Sequence, residues 1–444
     1  MPHYYPRIPL KSHKKEKVSN GNYVWISYFY SYLSDKGRAG FVMSSQASSA
    51  GGGESKVRQK LIETGDVDIM IAIRSNFFYT RTVPCELWFL NRNKLPLPQG
   101  EGRGEGGVFN HKDKVLMIDA RNVYRKVTRK IYDFSPEQQQ NLQAIVWLYR
   151  GETERYLQLV SEYLGNVSDE AQACFELEDD TGQTIRPLPE YALALKTLRK
   201  TLAPFLKQLP PLPLGEGRGE GDSLGERPGM RVAEVLKELE KESKLFDQDI
   251  EQFQKSAQKA AKQWEAAPDT NTALLKLTTE FAPMAETSRD LIKQTDLIYK
   301  LATRLIDELT SSPLPEREGP GVRAATRDIT RTRKAADEAR QLAVEQLKQV
   351  RYFWKQAHWL TERFPEAKLR DVEGLVKLVA LWEIEANDWS LTPGRYVGVA
   401  PEEVDEDFDF EETLREIQVE LEDLNAEAIK LAATIKRNFE ELGV

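Results

Sequence analysis

The sequence contains little cysteine and histidine, and it has no long apolar runs. Its 444 residues include 2 cysteines and 4 histidines. Cys85 and Cys174 form no CxxC pair, and no histidines stand at metal-ligand spacing, which argues against a zinc site or a disulfide framework. No segment approaches the roughly 18 consecutive apolar residues of a membrane span, and the N-terminus lacks an apolar signal core. These absences favour the reducing cytoplasm.

An excess of basic charge is also absent, because 70 acidic residues face 62 basic ones and the net charge is -8. A protein that grips DNA alone needs clustered lysine and arginine to neutralise phosphates. One local cluster exists, and it consists of Arg121, Arg125, Lys126, Arg129 and Lys130. It is either a solvated basic surface, which is the commoner case, or a phosphate contact.

The first part of the chain alternates between helical and strand-like patterns. Helices are expected at 22–33 and 54–64, and strands at 39–43, 67–73, 85–90 and 114–119. The order strand, helix, strand predicts a crossover in a sheet that is covered on both faces. Two glycine clusters superficially resemble ligand loops. Gly51–Gly53 and Gly100–Gly106 are interpreted as a flexible loop and as part of a repeat, respectively, rather than as nucleotide sites.

The pattern changes at Ser135-Pro136, which is typical of a helix N-cap followed by proline in the first turn. Helical spacing then dominates, over 137–163, 190–208, 231–265, 272–310 and 324–363. Three related segments rich in proline and glycine interrupt the chain, and they are expected to be surface loops at 95–107, 210–229 and 312–323.

Two heptad seams stand out among the helices. One comprises Leu236, Leu239, Ser243, Phe246, Ile250, Phe253 and Ala257, and packing within the chain is the favoured interpretation. The other, after the acidic stretch 402–412, comprises Leu414, Ile417, Leu421, Leu424, Ala428, Leu431 and Ile435. A heptad seam must face another helix, and for the second seam a partner chain and an intramolecular bundle are equally supported.

Several segments together resemble the modification subunit of type I restriction-modification systems, a DNA adenine-N6 methyltransferase. The resemblance begins with SNGNYVWISYFYSYL (19–33), GRAGFVMSS (37–45), VRQKLIETGDVDIMIAI (57–73), NFFYT (76–80) and CELWFLNR (85–92). It continues with KVLMIDARN (114–122), RKIYDFSP (129–136), IVWLYR (145–150) and NDWSLTPGRYV (387–397), the last being similar to the closing signature of the family.

The resemblance implies an α/β fold followed by an all-α part. Residues 1–134 would form a partial Rossmann-like methyltransferase sheet with strands five to seven, the seventh being antiparallel. Residues 135–400 would form a long helical extension. Residues 401–444 would be an acidic linker followed by a partly coiled-coil helix.

The resemblance also implies S-adenosylmethionine as cofactor, with DNA and the specificity and restriction subunits as partners. Two elements of the family are absent from the sequence: the glycine-rich cofactor loop and the Asn/Asp-Pro-Pro-aromatic motif that holds the extruded adenine. We therefore expect an inactive chain that carries no catalytic or cofactor residues, unless a fragment encoded upstream supplies them. The alternatives are a non-catalytic helical adaptor for the specificity subunit, and a pseudogene product without a stable fold.

One functional contact is nevertheless expected to remain. Phe77 and Phe78 follow the sixth strand, where related enzymes place an aromatic side chain against the extruded base. A core-filling role for at least one of the two rings is the commoner alternative.

Overall fold

The computed structural model describes residues 21–78, 82–94, 111–128, 130–178, 181–207, 228–265, 268–311 and 320–400, together with residues 414, 417, 421, 425, 428, 431, 432, 434 and 435. Two compact units are present, residues 1–397 and residues 398–444. The first contains a small mixed sheet and long helices. The predicted loops at 95–107, 210–229 and 312–323 lie outside the described residues, except that helices already begin at Pro228 and Pro320. Proline suits a first helical turn because no donor is needed there.

The described strands include the four predicted ones, which agree closely in position, and five that the sequence pattern did not predict. They are β1 (Arg38–Ser44), β2 (Val67–Ile73), β3 (Cys85–Asn91), β4 (Lys114–Asp119), β5 (Arg125–Thr128), β6 (Ile131–Asp133), β7 (Leu177–Glu178), β8 (Thr184–Ile185) and β9 (Val376–Ala380). The main sheet has the order β1-β3-β2-β4-β9, and β5-β6 and β7-β8 are separate two-stranded ribbons.

The predicted antiparallel strand is confirmed, because β3 runs antiparallel to both β1 and β2. β1 and β2 therefore run in the same direction with β3 between them, while β2 and β4 are direct parallel neighbours. β9 joins β4 in antiparallel pairing from more than 250 residues further along the chain. Sequence periodicity missed β9, because a run of five residues is too short to distinguish a strand from a loop.

The helices are α1 (Gly21–Ser31), α2 (Gln46–Ser49), α3 (Gly53–Glu63), α4 (Pro136–Tyr149), α5 (Thr153–Ala173), α6 (Pro187–Lys207), α7 (Pro228–Trp264), α8 (Asn271–Ser311), α9 (Pro320–Arg363) and α10 (Leu381–Ala386). Ser135 caps α4 in a reciprocal capping box with Gln138, as its position before Pro136 predicted. The single helix expected over 137–163 is wrong. Gly151 breaks it with a φ of 75°, which glycine adopts at low cost.

The sheet is covered on both faces, as predicted. On one face, Ile71 and Ile118 share a core with the long helices. On the other face, Met70 and Met117 pack in a second core with residues of α1, α3 and α10. Every residue of β2 is buried, which is typical of a central strand.

The two heptad seams have different environments. In the first seam Leu239, Ser243, Phe246, Phe253 and Ala257 are buried, and Leu236 and Ile250 pack against the same core, which confirms the intramolecular interpretation. In the terminal seam Leu414, Ile417, Leu421, Ala428, Leu431 and Ile435 are helical and exposed. Leu424 lies outside the described residues. The second seam therefore remains a candidate partner surface.

Among the described residues, no helix is long and apolar enough to cross a membrane.

Candidate functional site

The candidate site lies at the edge of the sheet where the neighbouring strands β2 and β4 both end. Because these strands are parallel, the loops that follow Ile73 and Asp119 leave the sheet side by side. The first loop carries the predicted aromatic pair, and the second leads into the predicted basic cluster. Two elements that the sequence separates by more than 40 residues are thereby brought together.

Phe77 and Phe78 have different environments in the first of these loops. The Phe77 ring is partly buried and lies 4.5 Å from the ring of Phe134, measured between centroids. Phe78 is 38% exposed. Asn76 has a φ of 63°, and its carbonyl accepts a hydrogen bond of 3.1 Å from the Tyr132 amide. Phe77 therefore joins this loop to Phe134, which lies just before α4, whereas Phe78 is exposed to solvent.

The basic cluster occupies the β5-β6 hairpin and the residues before it. Two of its arginines are paired with carboxylates. Arg125 donates to both Asp133 oxygens at 2.9 and 2.8 Å, and Arg121 donates to both oxygens of Asp119. Lys126 and Lys130 are exposed, and Arg129 lies outside the described residues.

A stacked arginine under the hairpin was not predicted from the sequence. The Arg74 guanidinium carbon lies 3.9 Å from the ring centroid of Tyr124 and 4.1 Å from that of Tyr132. The two rings meet edge to face at 5.1 Å. No sequence signal links Arg74 with tyrosines some 50 residues away, because this contact depends on how β2 and β4 are paired.

The segment 387–397 packs against this part of the molecule. Its backbone turns through left-handed conformations at Asp388 and Trp389, with φ of 55° and 56°. The buried Arg58 of α3 holds the turn, because its Nε donates to the Trp389 carbonyl at 2.5 Å. On the other side of the segment, the Ser48 and Thr392 hydroxyls lie 2.7 Å apart.

Glu86 is a buried carboxyl group at the same end of the sheet, in β3 opposite Met43 and Ala72. It is 1% exposed, and its Oε2 has no hydrogen-bond partner among the described residues. Burial raises its pKa to about 8, although the nearby Ser48 hydroxyl and Arg121 act in the opposite direction. A carboxyl group in this environment holds its proton at neutral pH.

The residues described at this edge do not fit S-adenosylmethionine, the cofactor that the sequence resemblance implies. That cofactor requires a glycine loop that approaches it closely and an acid for its ribose. At Gly51, Gly52 and Gly53 an added Cβ would meet no atom within 4 Å, so no close approach among the described residues requires glycine there. Glu86 is enclosed, and both Asp119 oxygens are bound by Arg121.

Comparisons with known proteins agree with the sequence resemblance. A family model described as N-6 DNA Methylase matches residues 9–171. The type I restriction enzyme MjaIX methylase subunit of Methanocaldococcus jannaschii is 33% identical over 127 residues, which cover 28% of this chain and 20% of that protein. The type I restriction enzyme HindI methylase subunit of Haemophilus influenzae is 28% identical over 119 residues, which cover 27% of this chain and 24% of that protein.

The chain thus spans only about a fifth to a quarter of the length of the curated relatives it matches. Among solved structures, the type I restriction-modification system methyltransferase subunit from Streptococcus thermophilus is 20% identical. The matched part covers 31% of this chain and 25% of that chain, with a TM-score of 0.25. A structural likeness at that level supports no argument.

Proposed function

We propose that the chain is part of the modification subunit of a type I restriction-modification system, because residues 9–171 match a family model described as N-6 DNA Methylase. The whole subunit would transfer a methyl group from S-adenosylmethionine to N6 of adenine in DNA. The observation that carries the proposal is the similarity to two type I methylase subunits, which adds a specific subunit class to the family match.

The sheet supports a finer assignment. We assign β1, β2 and β3 to strands five, six and seven of the methyltransferase sheet. Support comes from the antiparallel direction of β3, which this assignment requires of strand seven. The described sheet also contains two strands that this assignment does not include, the parallel neighbour β4 and the late strand β9.

Methyl transfer needs groups that these 444 residues do not contain. The sequence has no Asn/Asp-Pro-Pro-aromatic motif, and its one Pro-Pro, Pro210-Pro211, stands between leucines in a proline- and glycine-rich segment. The family uses S-adenosylmethionine, but the glycine cradle is also absent here. We infer that the chain alone is inactive, and that activity requires a polypeptide segment carrying both motifs, such as an N-terminal fragment.

The proposed partners are DNA, a specificity subunit and a restriction subunit. In such an assembly the specificity subunit reads the DNA sequence, which is compatible with a net charge of -8 on this chain. We assign contact with a partner subunit to the terminal seam, whose described apolar members are exposed. Exposed apolar residues at heptad spacing are stabilised when another helix covers them.

A non-catalytic adaptor for the specificity subunit is the second candidate. The observation that favours it is the proportion of the chain given to helices α4 to α9, together with the exposed terminal seam. An adaptor would need the helical part and the seam but none of the groups that bind cofactor or adenine.

A methyl-transfer assay with tritiated S-adenosylmethionine and unmethylated DNA separates these proposals. We expect no transfer and no micromolar cofactor binding by the chain, alone or with a type I specificity subunit from the same genome. We expect transfer when an N-terminal methyltransferase segment that carries both motifs is added as a separate polypeptide. Binding of the specificity subunit without restored transfer would favour the adaptor. Transfer by the chain alone would contradict the inactive reading, and failure to bind the specificity subunit would overturn both functions.

A further inference from the structure

The guanidinium of Arg74 is stacked against two tyrosine rings. Tyr124 and Tyr132 cover its guanidinium at 3.9 and 4.1 Å, and its Nε is buried without a hydrogen-bond partner among the described residues. Stacking of this kind fixes an arginine and keeps its charge, because a cation is attracted to the face of an aromatic ring. The reverse also holds, so Arg74 fixes the orientation of the Tyr124 ring.

The Tyr124 ring is presented to solvent at the base of a positively charged hairpin. It is 37% exposed, although Arg74 lies over the ring and Tyr132 meets it edge to face. The exposed Phe78 ring belongs to the neighbouring loop, which is bonded to the hairpin through Asn76 and Tyr132. Exposed aromatic rings beside lysines are the features by which proteins bind unstacked bases and their phosphates.

The charge of this surface is opposite to that of the chain. Residues 121–133 contain five basic residues and one acidic residue, Asp133, whereas the whole chain carries -8. Arg125 is paired with Asp133, and Arg121 is paired with Asp119, which lies just before this range. Lys126 in β5 and Lys130 in the turn before β6 are exposed. A local positive surface on an acidic protein concentrates an anionic partner at one place.

We propose that this hairpin surface binds DNA that has an unpaired base. Lys126 and Lys130 contact backbone phosphates, Tyr124 stacks on the unpaired base, and Arg74 is the positioning residue that holds Tyr124. This inference rests on the proposed function and extends it, because it assigns to the chain itself a DNA contact outside the motifs for cofactor and adenine. The sequence did not indicate Arg74, Tyr124 or Tyr132 as site residues.

The test is fluorescence anisotropy of the full chain, at several salt concentrations, with a labelled duplex of about 20 base pairs and with the same duplex carrying one unpaired adenine. We expect tighter binding to the second duplex. Tyr124→Ala should weaken that binding about fivefold or more while Tyr124→Phe retains it, because stacking on a base contributes about 1–3 kcal/mol. The salt slope should be unchanged by Tyr124→Ala.

The double variant Lys126→Gln/Lys130→Gln should weaken binding to both duplexes and reduce the salt slope by about 2, since each phosphate contact contributes about 0.9. Its matched control is Lys255→Gln/Lys259→Gln, which removes the same charge from exposed positions of α7 and should leave the slope unchanged. Thermal denaturation of each variant verifies that it is folded.

Three results would each overturn the proposed DNA contact. They are absence of DNA binding at low salt, equal salt slopes for the two double variants, and equal effects of Tyr124→Ala and Tyr124→Phe. These outcomes leave the proposed function intact if a complex containing the chain transfers methyl groups. Conversely, the surface stands and the proposed function fails if DNA binds as described while no complex supports transfer.

Discussion

The Nε of Arg58 donates a 2.5 Å hydrogen bond to the main-chain carbonyl of Trp389, which is 331 residues later in the chain. The same guanidinium donates to the Ala50 carbonyl at 2.8 Å and to the Tyr23 hydroxyl at 2.9 Å. One buried side chain therefore joins α1, the loop before α3 and the segment 387–397. This contact explains how two parts of the sequence resemblance that lie far apart in the chain form one structural unit.

Replacement of Arg58 is expected to destabilise the protein strongly. Arg58→Ala removes a buried hydrogen-bonding group and leaves several carbonyls without partners, at a cost of about 3 kcal/mol or more in the free energy of unfolding. Urea denaturation followed by circular dichroism measures the loss. The control is Lys60→Ala, at an exposed position of the same helix, and equal midpoints for the two variants would contradict this role of Arg58.

Glu86 is expected to make stability depend on pH. Its pKa in the folded protein is raised to about 8 from an ordinary 4.5, so between these values the folded state holds a proton that the unfolded state releases. Stability should therefore fall as pH rises through this window, by up to about 1.4 kcal/mol per pH unit, and level off above pH 8.

Urea denaturation between pH 5.5 and 8.5 checks the contribution of Glu86. Glu86→Gln should remove this slope and gain stability relative to the unmodified chain at the high end. The exposed Glu63→Gln is the control. Burial lowers the pKa of Lys94 to about 8, so this group also titrates near the upper end of the pH range. Its contribution is the same in the unmodified chain and in Glu86→Gln. Parallel pH profiles for the unmodified chain and Glu86→Gln would refute the assignment.

The aromatic side of α1 is expected to promote association. Trp25 is 59% and Tyr32 85% exposed, and α1 has no charged residue on any side. A row of ring contacts runs from Trp25 through Phe29 and Phe41 to the fully buried Trp88. β1, which carries Phe41, is the outer strand of the described sheet, and an outer strand adds to the tendency of a protein to associate.

Trp25→Gln/Tyr32→Gln should therefore lower self-association with little change in melting temperature. Light scattering over a concentration series measures the association. Leu193→Gln provides the control, because Leu193 is an exposed apolar residue of α6. If scattering falls equally in both variants, the effect is general hydrophobicity rather than this surface.

The terminal seam is expected to be needed for binding a type I specificity subunit. Leu421→Asp places a charge in the seam and should abolish co-purification with that subunit, because a charge between packed helices loses its hydration without gaining a partner. Leu193→Asp, which makes the same change at an exposed position of α6, should leave co-purification intact. Undiminished recovery with Leu421→Asp would mean that the seam does not bind this partner.

Local patterns in the sequence determined most of the secondary structure. Largely apolar runs predicted β2 and β4 at their observed bounds, because a strand buried on both faces is mostly apolar. The Ser135-Pro136 pair predicted the start of α4, since capping depends only on neighbouring backbone groups. The absence of the Asn/Asp-Pro-Pro-aromatic motif is likewise a property of the sequence alone.

Only the tertiary structure decided which distant residues meet. The pairing of β2 with β4 brought Arg74 under Tyr124 and placed Phe77 against Phe134, although no periodicity relates these positions. β9 likewise became a strand only by pairing with β4. Backbone hydrogen bonds hold its five residues in place, and their composition alone does not predict a strand. Long-range contacts of this kind form from the packing of whole elements, so they leave no signal in a short window of sequence.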